Sequence, residues 1–155
     1  MKEINNMYLK IFRFIISIFI VLIFTSCEKK ISTNPKEIHW DRDMCSRCAM
    51  VISDRNHAVQ VINPEDGKAY VFDDIGCTIL WFKEQNVKWE EKAVIWITDI
   101  KTAKWIDAKK AFYDTMNLTP MAYGFGAHEI KSDIQEGLEV IDYEKVKQRV
   151  LEIGK

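Results

Sequence analysis

The chain is most informative for what it lacks. It has one CxxC pair, Cys45 and Cys48, and no second one, and its histidines (39, 57 and 128) are scattered. A structural zinc site built from two CxxC pairs is excluded, and zinc would have to draw one or two ligands from those histidines. There is no glycine-rich phosphate loop and no nucleophile–base constellation, so no enzyme is expected. The formal charge of −1, with no basic patch interleaved with aromatics, gives nucleic acid nothing to bind. No apolar run reaches the roughly 20 residues a transmembrane helix needs.

What stands at the start is a basic segment (Lys2, Lys10, Arg13) followed by an apolar run over 14–24 that only Ser17 interrupts. That pattern reads as a secretory signal. The run ends in Phe24-Thr25-Ser26-Cys27, which resembles a bacterial lipobox with Phe in the place usually held by Leu. The expectation is a lipoprotein-type signal over 1–26, cleavage before Cys27 and lipidation of the Cys27 sulfur. Residues 27–43, polar and carrying Pro35, read as the lipidated cysteine and a tether, and 44–155 as a single domain. The chain beyond the signal would face the periplasm from a lipid anchor, in either the inner or the outer membrane.

The domain alternates short strand signals with helix signals. The extended run 57–62, the turn sequence Asn63-Pro64-Glu65-Asp66-Gly67 and the run 68–72 make a β-hairpin with a four- or five-residue loop. Residues 73–84 look helical, with Asp73 and Asp74 at the favoured end of the helix dipole. Residues 93–99 and 102–107 give a second hairpin, rich in β-branched and aromatic residues. Residues 111–114 are ambiguous, 120–130 carry glycines, 131–137 suggest a short helix, and 143–153 form an amphipathic closing helix. The echo between YVFDD (70–74) and KWIDA (104–108) points to two related hairpin-plus-helix units. The expected class is α+β, with small antiparallel hairpins packed against helices.

MCSRCAM, at 44–50, gathers two cysteines and two methionines. A Cys45–Cys48 disulfide would close too small a loop to stabilise much through chain entropy. A thioredoxin-like couple needs a preceding strand inside a βαβ pattern, and only the tether precedes this pair. Zinc rarely takes methionine, whereas Cu(I) selects soft thiolates and thioethers. Met50 lies two residues after Cys48, so an extended segment puts both side chains on one face. Met121, beside Pro120, is a further thioether. Cys77, among Ile75, Ile79 and Leu80, reads as a buried core thiol, and Asp73 and Asp74 as helix caps.

The order lipobox, CxxCxM, hairpin ending in FDD, a cysteine shortly after, then TD, WIDA and PMxxG resembles the NosL family, copper-binding lipoproteins associated with assembly of nitrous oxide reductase. The resemblance runs from about Met44 to about His128. It implies a membrane-anchored Cu(I) metallochaperone that passes copper to apo-nitrous oxide reductase or its maturation machinery. Carried over, the metal candidates are Cys48 and Met50 from the first motif and Met121 from the second. Cys45 is the first cysteine of the CxxC, and a histidine, His128 or His57, could complete the set. Ala49 departs from the family, which has glycine there, so either the backbone angles at 49 are ordinary or the site differs in pose. The alternative to a copper carrier is an envelope thiol–disulfide protein that uses Cys45 and Cys48.

Overall fold

The computed structural model describes residues 12–14 and 31–154. The rest of the expected signal segment 1–26, and the expected lipidation site Cys27, lie outside the described residues. Residues 12–14 are helical, and residues from Ile31 onward form a compact unit of their own. Among the described residues, no helix is long and apolar enough to cross a membrane.

The unit is α+β. Strands β1 (Val59–Ile62) and β2 (Ala69–Phe72) form the first hairpin, followed by helix α1 (Ile75–Glu84). Strands β3 (Val94–Thr98) and β4 (Trp105–Asp107) form the second hairpin. A smaller pair, β5 (Phe112–Asp114) and β6 (Gly126–His128), precedes the closing helix α2 (Tyr143–Ile153). The main sheet runs β2-β1-β3-β4, all antiparallel, and β5-β6 makes a second sheet.

Local chemistry accounts for the first hairpin. Asn63 N–H donates to the Lys68 carbonyl, and the Asn63 side chain accepts from Glu65 N–H. Pro64 sits where its fixed φ suits a turn. Gly67 takes φ +72°, where a Cβ would be strained. Helix α1 begins at Asp74, whose carboxylate accepts from Gly76 N–H at 2.8 Å. A cap of this kind is worth about 1 kcal/mol.

The two hairpins lie side by side, with β1 and β3 paired as the inner strands. Only the first runs straight into a helix. After β4, Asp107 accepts from Lys109 N–H and its carbonyl from Lys110 and Ala111 N–H, a single turn that leads into β5. The echo between 70–74 and 104–108 is therefore real for the hairpins, and the second helix comes only after the β5–β6 pair. The short helix expected over 131–137 is one 3₁₀ turn, Lys131–Asp133.

Every residue of β1 is buried, because both faces of this inner strand are covered. Helix α1 packs on one side. The segment read as tether contributes as well: Gln60 exchanges hydrogen bonds with the Lys36 backbone, and Trp96 Nε1 donates to the Thr33 carbonyl. Ile38 joins the core. Tyr70, Phe72, Trp81, Phe82 and Trp89 form an aromatic cluster with ring centroids 4.7–6.2 Å apart. That cluster fixes α1 against the β1–β2 hairpin and so fixes what the helix start presents.

Candidate metal centre

The CxxC segment folds as a tight loop. Met44 bridges to Val51, Cys45 N–H donates to the Met50 carbonyl at 2.8 Å, and Ala49 N–H donates to the Cys45 carbonyl at 3.0 Å. Closing that loop requires Ala49 to take φ +59°. Glycine would take this angle without strain, and alanine bears it instead. The loop is fastened to the free edge of β2: Ser46 N–H donates to the Val71 carbonyl, and Val71 N–H donates to Ser46 Oγ. Both cysteines are thereby carried to the β2–α1 junction.

At that junction the two aspartates part company. Asp74 caps the helix. Asp73, one residue earlier, points to the sulfur loop, and Cys77 faces the same way four residues on. Donor atoms of Cys45, Cys48, Asp73 and Cys77 all lie within 4.8 Å of one another. An ion about 2.3 Å from each of two sulfurs spans at most about 4.6 Å, close to the limit of these separations. The donor set therefore fits a single soft ion. Cys45 and Cys77 are buried, and Cys48 is partly open to solvent.

The four groups hold one another's protons. A hydrogen bond from the Cys77 thiol draws Cys45 down to about 4 and holds Cys77 itself well above the thiol range. Burial pushes Cys48 up to about 11, and its thiol lies 3.5 Å from Asp73 Oδ2. Burial also lifts Asp73 to about 6, helped by its hydrogen-bond contact with Cys45. Desolvation and the hydrogen bonds the crowded donors make with one another give this pattern. Arg47, inside the CxxC, is held by two hydrogen-bonded nitrogens on Glu84 (Nη2 at 2.7 Å, Nε at 3.1 Å), with Nη1 4.0 Å from Cys77 Sγ.

The thioethers fall in two places. Met50 and Met44 are exposed on the loop. Met121 is half-buried, on a segment laid across the start of α1: its N–H donates to Asp74 Oδ2 at 3.4 Å. Two residues on, the Tyr123 ring lies flush against Gly76, where an added Cβ would sit 2.2 Å from Cδ2. The segment from Met121 to Tyr123 is thus docked beside the cluster. His128 stands elsewhere. It is buried on β6, its Nε2 2.9 Å from Asp114 Oδ2, with Nδ1 unpartnered. His57 is likewise engaged with Asp54, at 3.0 Å.

The structure therefore unites Cys45 and Cys48 and adds Asp73 and Cys77, which sequence reasoning had assigned to capping and to the core. The available signal was the Asp73–Cys77 spacing of four across a first helical turn.

A small α+β fold that converges three thiols and a carboxylate on one point belongs to the thiolate-rich metal-binding proteins. The sequence profile of the NosL family matches residues 35–125, more than half of the chain, and spans the CxxC loop, the β2–α1 junction and Met121. The chain belongs to the NosL family. Its fold is similar to the crystal structure of the copper chaperone NosL from Shewanella denitrificans, with a TM-score of 0.51 at 14% identity, covering 72% of this chain and 96% of that one. Comparison with curated proteins gives no match. Family and cluster together support copper binding.

Proposed function

We propose that this protein is a Cu(I) metallochaperone of the cell envelope, anchored through lipid on Cys27 and carrying copper for assembly of an envelope copper enzyme, nitrous oxide reductase being the favoured acceptor. The observation that carries the reading is the convergence of Cys45, Cys48, Cys77 and Asp73 within 4.8 Å, in a chain of the NosL family. Copper is cargo here, and the protein acts as a carrier rather than an enzyme.

Cys45 and Cys77 form the buried half of the proposed site, and Cys48 its open half. Met50, exposed beyond Cys48, and Met121, docked at the helix start, are the proposed thioether ligands. Soft donors of this kind suit Cu(I), which accepts low coordination numbers. An acceptor ligand can then enter from the open side, and copper passes by ligand exchange without release. His128, buried on β6 against Asp114, is not among the donors that converge with the cysteines, so we place it outside the transferring set. A lipid tether would raise the local concentration near membrane-bound partners.

The test is transfer. The Cu(I)-loaded chain is mixed anaerobically with apo-nitrous oxide reductase, the proteins are separated, and copper is measured in each. Copper moving to the reductase, and moving less when Met50 is replaced by Leu, supports the reading. Copper retained by the loaded chain refutes the delivery role. A second reading, a thiol–disulfide protein, draws on the three unbridged thiols. It requires a Cys45–Cys48 disulfide that cycles at a defined potential with no dependence on Met50 or Met121.

A further inference from the structure

Arg47 brings a guanidinium to the thiol cluster, and its geometry is fixed. It sits between the two cysteines of the CxxC loop. Its Nε and Nη2 are occupied by Glu84, at the far end of α1, with contacts of 2.7–3.1 Å. That grip turns the remaining nitrogen, Nη1, toward the sulfur of Cys77 at 4.0 Å. Only 22% of the side chain is exposed, so the cation is held against the pocket and not in solvent. An Arg at a surface loop ordinarily keeps its charged head in water. Here the carboxylate of Glu84, about two turns along the helix from Cys77, holds it in.

We propose that Arg47, clamped by Glu84, sets the charge preference of the pocket, favouring monovalent Cu(I) over divalent Zn(II). This rests on the copper-carrier reading. The donor set by itself does not discriminate well: three thiolates and a carboxylate also make a good four-ligand zinc site. Glu84 balances the charge of the guanidinium, but Nη1, at the positive end of the pair, is the part turned to the sulfur, and it repels a bound ion in proportion to the ion's charge, twice as strongly for a divalent as for a monovalent ion. Arginine suits the task because it never releases its proton, so the bias holds at every working pH. Its N–H also gives the Cys77 sulfur a donor, a contact that orients a ligand without coordinating the metal. Arg47 is thus a positioning and selectivity residue, and it does not bind the ion.

The experiment measures Cu(I) and Zn(II) dissociation constants of the full chain in detergent, each against a competing chromophoric chelator, and reads the ratio of the two. Arg47→Gln is expected to shift the ratio toward zinc by about tenfold, the scale on which groups that hydrogen-bond to metal ligands tune metal sites. Arg47→Lys, which keeps the charge, retains most of the preference. Arg47→Met makes the same test with the apolar stem retained: the charge is lost and the ratio moves toward zinc. A ratio within twofold of the parent in Arg47→Gln, or, where that variant does not fold, in Arg47→Met, overturns the inference. So does an equal loss in the Lys and Gln variants. A parent chain that binds Cu(I) tightly while the ratio stays fixed refutes the selectivity role alone. A parent chain that binds no Cu(I) refutes the carrier reading with it.

Discussion

Replacing Gly76 by alanine sets two effects of known sign against each other. Gly76 lies in the first turn of α1, and alanine in a helix is favoured over glycine by up to about 1 kcal/mol. In isolation the change would stabilise the protein. The new Cβ, however, would lie 2.2, 2.3 and 2.5 Å from three ring atoms of Tyr123. These are atoms near the root of the ring, so no small rotation of a flexible tip relieves them. Overpacking of this kind costs about 1–3 kcal/mol, and a three-atom clash belongs at the upper end. The net expectation is a loss of about 1–2 kcal/mol, a fall in melting temperature on the order of 5 °C by thermal circular dichroism. The relief available is to lift Tyr123, and Met121 is two residues away on the same segment. Cu(I) affinity should therefore fall together with stability. A double-mutant cycle isolates the contact: in a Tyr123→Ala background the clash is gone and Gly76→Ala becomes stabilising. If Gly76→Ala raises the melting temperature of the parent, or has the same effect in both backgrounds, the segment carrying Met121 is not docked on α1 and the argument fails.

Ala49→Gly should stabilise the apo-protein by about 0.5–1 kcal/mol, since relief of a left-handed alanine, about 1–2 kcal/mol, exceeds glycine's extra chain entropy; urea unfolding would show a higher midpoint, and a lower one would contradict the strained loop. Burial lifts Asp73 to about 6, above its unfolded value, so the apo-protein is favoured at low pH and loses that contribution as pH rises from about 4 through about 6. Asp73→Asn should remove this loss, leaving the variant more stable than the parent at pH 7.5 and closer to it at pH 4; a difference independent of pH would refute the assignment. Met50→Leu and Met121→Leu should each weaken Cu(I) binding with little effect on folding, within about 1.5 kcal/mol for such volume-conserving changes, and full affinity in both variants would remove the thioethers from the site.

The four strands of the main sheet were legible because their signals were local, whereas β5 and β6, three residues each, gave no clear strand signal. Asn63-Pro64-Glu65-Asp66-Gly67 announces its turn, and 59–62 and 94–98 are strands of β-branched and aromatic residues. The single turn after Asp107 was harder to see, because KWIDA shares its acid with YVFDD and only the later sequence decides between a helix and one turn. Half of the metal cluster was legible in the CxxC spacing. Cys77 and Asp73 were not, because their role depends on the loop hanging from the β2 edge, a long-range contact between Ser46 and Val71. The segment around Lys36 and Ile38 looked like a solvated tether because its partners are distant in sequence, Gln60 lying 24 residues from Lys36 and Trp96 63 residues from Thr33.

The most direct test of the central claim is an anaerobic Cu(I) titration of the full chain in detergent against a competing chromophoric chelator, run beside Zn(II) and repeated with Cys48→Ser and Cys77→Ser. The account predicts tight, near-stoichiometric Cu(I) binding in the parent, preferred over zinc and weakened in both variants. A parent that prefers zinc or binds no metal, or a Cys48→Ser protein that keeps full Cu(I) affinity, would contradict it.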